Sequence, residues 1–250
     1  MRELKITNAY LVNEGKISKQ DIYIVGTKIA KIGNHIKSSE NTEVFDAEGK
    51  YVFPGLIDDQ VHFREPGLTH KATIETESKA ALAGGITSFL EMPNTNPQTT
   101  TIKEWEFKNK LAEKTSYANY GFMFGGTNNN LDQILKLDSK RVPALKLFLG
   151  SSTGNMLVDN PEVLKNIFEN TDLVIAVHCE DETTIKKNLK AAKVKYGENI
   201  PIHQHPVIRS ENACYLSSSK AISLAKETGA RLHVFHISTA KELSLFRNDI

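Results

Sequence analysis

The chain has 250 residues, of which 40% are hydrophobic and 24% charged, and its formal net charge is +1. That is an ordinary globular composition, with room for one large core or two modest ones. The balanced charge, with no basic block interleaved with aromatics, argues against nucleic acid or an anionic membrane as partner. No apolar run is long enough to span a bilayer. The N-terminal stretch MRELKITNAYLVNEGK lacks the apolar core of a signal peptide, and Cys179 and Cys214 fall outside any CxxC spacing. These features predict a cytoplasmic protein without a disulfide framework.

Residues 3–51 read as short β-strands. Leu4-Lys5-Ile6 leads into Ala9-Tyr10-Leu11-Val12, and 21–25 and 28–32 alternate or nearly alternate. Asn13-Glu14-Gly15, Gly26-Thr27 and Gly33-Asn34 supply the turns. Residues 1–52 are therefore expected to form a small β-domain without a site of its own.

From Phe53 the pattern changes to alternating strands and helices, which predicts a parallel α/β architecture. A buried strand is expected to end near Phe63, followed by a helix over 74–83 closed by Gly84-Gly85. Further strands are expected over 86–92, 117–124, 144–149, 173–178 and 231–237. Helices are expected over 101–114, where Trp105 is a packing residue, and over 131–137. Pro161 opens another at its first turn. Residues 181–195 and 211–227 continue the pattern, 199–208 read as a loop, and 239 onward as helical. Within this frame Asp58, Asp59, Gln60, His62 and Arg64 crowd a strand that its apolar neighbours mark for burial. Buried polar groups need partners, and a metal ion is one that satisfies several at once.

The runs Pro54-Gly55-Leu56-Ile57-Asp58 and His62-Phe63-Arg64-Glu65-Pro66-Gly67 resemble the first barrel strand of the amidohydrolase superfamily. Met92-Pro93-Asn94-Thr95-Asn96-Pro97 narrows the resemblance to the dihydroorotases, over essentially the whole chain. It implies an α/β fold: residues 53–250 as an incomplete TIM-type (β/α)₈ barrel of about six units where eight close the ring, and residues 1–52 as part of a small β-sandwich. The chain is therefore expected to be an N-terminal fragment. One departure stands out. The family has His-x-His on the first strand, and this chain has Gln60-Val61-His62.

The polar residues fall at strand ends, where barrel chemistry is sited. The resemblance makes His62, His178 and His236 metal ligands, and Lys146 a lysine carboxylated by CO₂ that bridges one or two Zn²⁺ ions. A lysine in Ala144-Leu145-Lys146-Leu147-Phe148 is otherwise a buried cation paired with a carboxylate. Arg64 and Asn94 are the substrate-carboxylate residues by the same resemblance. The plainer readings are a salt bridge from Arg64 to Glu65 or Asp59 and a turn role for Asn94. His233 lies three residues before His236 and reads as structural, and Cys179 as packing. His203-Gln204-His205, between Pro201 and Pro206, reads as surface loop. Ser151-Ser152-Thr153-Gly154-Asn155 reads as a loop after the fourth strand, facing the site.

The function implied is that of a dihydroorotase, the metal-dependent, reversible hydrolysis of L-dihydroorotate to N-carbamoyl-L-aspartate in pyrimidine biosynthesis. In the family an Asp on the eighth strand shuttles the proton; it falls beyond Ile250, so the fragment alone is expected to be inactive. One rival is an allantoinase- or hydantoinase-like cyclic amidohydrolase. The other is a catalytically inactive scaffold for a pathway enzyme, which Gln60 keeps open. A homodimer or a pathway enzyme is the protein partner this reading admits.

Overall fold

In the computed structural model, residues 1–150 and 156–247 are described. The chain divides into two compact units, Met1–Leu56 and Ile57–Ile250.

The first unit holds β1 (Glu3–Asn13), β2 (Lys16–Val25), β3 (Lys28–Gly33), β4 (Glu43–Asp46) and β5 (Tyr51–Val52). They make one mixed sheet in the order β3-β2-β1-β4, with β5 also pairing with β1. The β1–β2 hairpin turns through Glu14 and Gly15, both at positive φ (49° and 72°). A two-residue turn needs that conformation to match the right-handed twist of its strands. Ala9, Leu11, Ile22 and Ala47 form the core. An apolar hollow of about 290 Å³ lies against Leu11, Ile24, Ile29, Ile32 and Val52.

The second unit alternates strands and helices. In chain order it contains β6 (Leu56–Val61), α1 (Ile74–Ala83), β7 (Ile86–Glu91), α2 (Ile102–Thr115), β8 (Asn119–Phe122), β9 (Phe124–Gly125), α3 (Leu131–Ile134), β10 (Leu145–Phe148), α4 (Pro161–Asn170) and β11 (Ile175–His178). There follow α5 (Glu182–Tyr196), a 3₁₀ turn at Ile202–Gln204, α6 (His205–Ile208), α7 (Glu211–Thr228), β12 (Leu232–Val234) and a 3₁₀ helix at Ala240–Leu245. The helix starts are written in the sequence. Thr73 caps α1 in a capping box with Thr76, Thr101 caps α2, and Asp181 and Ser210 cap α5 and α7. Each side-chain oxygen takes a backbone N–H that the first helical turn leaves unpaired. Gly229, at φ 74°, ends α7 in the left-handed conformation, which costs glycine nothing.

The strands pair in the orders β6-β7-β8 and β12-β11-β10-β9. The third predicted strand is split at Met123 into β8 and β9. Met123 N–H donates to the Glu91 carbonyl, and Phe124 N–H to the Ala144 carbonyl, so one stretch of chain serves a neighbour on each side. The register continues outward, with Lys146 beside Ala176 and Ala176 beside His233. The result is an α/β fold, part of a TIM-type barrel with about six β/α units among the described residues.

Alternation along the strands separates two apolar layers. Phe89, Phe122, Leu145, Leu147, Ile175 and Val177 pack with Trp105, Ile167 and Phe168 of the helices. Met92, Met123, Ala144, Ala176 and Phe235 form a smaller cluster on the other face. Trp105 is a packing residue as predicted, and its indole N–H donates to the Phe122 carbonyl at 2.8 Å.

Two expectations are corrected. The first barrel strand is not buried: Leu56 is 57% and Ile57 70% exposed. Among the described residues β7 is the one sheet neighbour of β6. Residues 199–208 are not plain loop either. Pro206 sits at the first turn of a short helix, α6, where its missing N–H costs nothing. No helix among the described residues is long and apolar enough to cross a membrane.

Candidate active site

The predicted site residues lie at or just after the C-terminal ends of β6, β7, β11 and β12, with Lys146 inside β10. Lys146 shares the inward face of β10 with Ala144, between outward-facing Leu145 and Leu147. It is 1% exposed. Its Nζ lies 4.3 Å from the Phe235 ring centre and 4.9 Å from that of Phe148, and has no hydrogen-bond partner among the described residues. No carboxylate among the described residues pairs with it. Burial in this apolar setting brings its amine down to about 7, because desolvation penalises the ammonium.

His178 closes β11. Its Nδ1 lies 3.0 Å from His236 Nε2, and its own Nε2 lies 2.8 Å from Glu180 Oε2. His236 follows the end of β12 and takes φ 39°, a left-handed conformation uncommon outside glycine. Burial lowers its imidazole, and the charges of His178 and Lys146 add to the effect.

His62 and Arg64 follow β6. Burial brings the His62 imidazole down to about 4, assisted by the charges of Arg64 and Lys146 and opposed by the Asn94 side chain. Arg64 also takes a positive φ of 70°, and its N–H donates to Glu91 Oε1 at 3.2 Å. Its guanidinium makes no ion pair among the described residues, so the expected alternative bridge to Glu65 or Asp59 does not form. Asn94 Oδ1 is buried without a hydrogen-bond partner. The loops after β6 and β7 lie in contact: a Cβ on Gly67 would come within 1.8 Å of the Asn96 carbonyl oxygen. Only glycine fits there, and its φ of 81° suits it equally. Gln60 is half-buried, and its N–H donates to Asp58 Oδ1 at 3.0 Å.

Sequence reasoning passed over several groups. Glu180 is buried and held by the Arg209 guanidinium through two contacts. Burial raises its carboxyl, but the hydrogen bonds from His178 and Arg209 outweigh that and bring it down to about 2. A cavity of about 290 Å³ is lined by His178, Glu180, His205, Arg209, His236 and Glu242, so His205 borders the site although His203-Gln204-His205 reads as surface loop. The cue available in the sequence was Pro206 at a helix start. Glu91 and Lys108 form a fully buried ion pair under the Arg64 turn. Lys108 lies on an amphipathic helix whose pattern carries no sign that this lysine is the inward one.

His233 contacts Asp59 at 3.6 Å and the Phe235 ring. Cys179 is buried, and burial pushes its thiol up to about 11, in keeping with a packing role. The run 151–155, read as a loop facing the site, lies outside the described residues.

A divalent cation fits these donors. Two imidazole nitrogens already converge, and an unpaired buried amine lies beside them. Among the described residues no group of three or more His, Cys, Asp or Glu is placed to hold a metal, so a third donor to His178 and His236 has to be Lys146 or lie outside the described residues.

Residues 51–244 match the amidohydrolase family model. The dihydroorotase of Methanosarcina acetivorans is 33% identical over 253 residues, covering 100% of this chain and 53% of that protein. The allantoinase of Deinococcus radiodurans is 32% identical, over 97% of this chain and 55% of that protein. The solved L-hydantoinase of Arthrobacter aurescens superposes with a TM-score of 0.91 at 30% identity, over 98% of this chain and 55% of that one. The chain thus spans about half the length of the relatives it matches. Its strand-end histidines, its inward lysine and the match over residues 51–244 agree: the chain belongs to the amidohydrolase family.

Proposed function

We propose that the protein is a dihydroorotase, catalysing the metal-dependent, reversible hydrolysis of L-dihydroorotate to N-carbamoyl-L-aspartate in the cytoplasm. The observation that carries the reading is the approach of His178 Nδ1 to His236 Nε2 at 3.0 Å beside a buried Lys146 without a partner. Neutral imidazoles with an anionic oxygen donor suit Zn²⁺. Bound there, the ion supplies Lewis acidity toward the amide carbonyl and activates water. His178, His236 and Lys146 would hold it, with His62 on a second, weaker position. The Lys146 amine, at about 7, is unprotonated in roughly half of the molecules in neutral solution. In that form its nitrogen can add to CO₂, lose a proton and become a carbamate with anionic oxygens.

Arg64 and Asn94 set the substrate class. A guanidinium with no carboxylate to pair with among the described residues suits the substrate's carboxylate, which dihydroorotate carries and allantoin and unsubstituted hydantoin lack. The relatives include enzymes named for each of these substrates. The deciding assay offers all three compounds to this chain and to the protein extended to the length of its relatives. Arg64→Met is expected to raise KM for dihydroorotate at least ~10-fold, because a charge-assisted bidentate contact contributes about 1.5–3 kcal/mol. An unchanged KM, or preference for allantoin, would favour the allantoinase-like reading.

Gln60 separates the enzyme from the scaffold reading. An amide oxygen is a weaker Zn²⁺ ligand than imidazole, so zinc content is expected near one per chain. Gln60→His should bring it toward two, measured by atomic absorption after gel filtration. Turnover that is absent in metal-replete wild type and created by Gln60→His would establish the scaffold instead.

A further inference from the structure

Glu180 and Arg209 belong to no ligand or substrate set assigned above, yet they form a two-contact ion pair at the site. The Glu180 carboxylate accepts from Arg209 Nε at 2.7 Å and from the second guanidinium nitrogen as well. Its Oε2 faces His178 Nε2 at 2.8 Å. The backbone beneath it is fixed on two sides. Asp181 N–H donates to the Ala213 carbonyl at 3.0 Å, and a Cβ on Gly150 would lie 2.0 Å from the Glu180 carbonyl oxygen. Arg209 is delivered by α6, where its N–H donates to the His205 carbonyl at 2.9 Å.

An ionised carboxylate only accepts hydrogen bonds, and a neutral imidazole carries one proton. We propose that Glu180, clamped by Arg209, is a positioning residue: it holds the single His178 proton on Nε2, so that Nδ1 presents a lone pair toward His236 Nε2. Without Glu180 the two tautomers of His178 would compete, and one of them would turn an N–H toward His236 Nε2. The clamp also fixes the ring plane, since Glu180 cannot swing away while both guanidinium contacts hold. Outer groups of this kind orient a ligand and raise its basicity, and their loss typically costs about 10–100-fold in metal affinity. The inference rests on the metal reading of His178 only for its consequence; the tautomer itself is a property of the metal-free chain.

The test is long-range ¹H–¹⁵N correlation spectroscopy of the metal-free chain, with His178 assigned from the signals lost in His178→Gln. The expected result is one His178 tautomer protonated at Nε2. Glu180→Gln, whose amide oxygen still accepts, should keep most of it. Glu180→Leu should give a mixture, and zinc affinity measured by chelator competition should fall ~10–100-fold. Arg209→Leu should fall between the two. A wild-type His178 protonated at Nδ1 overturns the inference, and needs no variant to fold. So does Glu180→Leu with unchanged tautomer and zinc affinity. If His178→Gln leaves zinc affinity unchanged, it is the metal reading that fails, and the spectrum alone then decides the tautomer.

Discussion

Lys108→Met is expected to destabilise the barrel unit by about 3–5 kcal/mol, the usual cost of stranding one member of a buried ion pair. Lys108 is 0% and Glu91 1% exposed by side chain, and the two are in direct contact. Lys108 Nζ also donates to the Met92 carbonyl at 3.0 Å, and Glu91 Oε1 accepts from the Arg64 N–H. Burial pushes the Glu91 carboxyl up and the Lys108 amine down, each opposed by the partner's charge. Removing the ammonium leaves the carboxylate with backbone donors alone. The pair lies between α2 and the end of β7, one turn of helix from Trp105, so urea unfolding followed by the fluorescence of this sole tryptophan reports on it. The double variant Glu91→Met/Lys108→Met should recover much of the loss, since apolar residues of similar volume often replace a buried pair without cost. A single-variant loss below about 1 kcal/mol would place the pair among ordinary surface bridges and sink the argument.

Lys146→Met should act in the opposite direction, and with pH. The folded amine sits at about 7 against an ordinary value of 10.5. Between those values the unfolded chain binds more protons than the folded one, so stability rises with pH across that window. Below about 7 both states are protonated, and the full cost of a buried ammonium is felt. Above 10.5 both are neutral, and the cost is gone. The interval corresponds to roughly 3–5 kcal/mol. Lys146→Met lacks the titrating group, so it should be more stable than wild type by several kcal/mol at pH 6, with the advantage fading toward pH 10.5. Urea midpoints across that range, in metal-free buffer purged of CO₂, measure it. A difference independent of pH would mean that Lys146 reaches solvent or a partner when it charges, and would remove the basis for its neutral, CO₂-reactive form.

Much of this architecture was legible in the linear chain. Thr73, Thr101, Asp181 and Ser210 cap helices because a local side-chain oxygen meets a local N–H, so the sequence alone determines where those helices start. The inward set of β10 follows from a period of two, which places Lys146 with Ala144 and opposite Leu145 and Leu147. The places of His62, Asn94, His178 and His236 at or just after strand ends were likewise readable, because strand ends are local features. What tertiary structure decided depends on groups far apart in sequence. Lys108 faces inward because Glu91, seventeen positions earlier, waits under the Arg64 turn; an amphipathic helix does not declare which lysine will be buried. Arg209 reaches Glu180 across 29 positions, and His178 reaches His236 across 58. Local rules act through covalent neighbours; burial and charge pairing are settled only when distant segments meet.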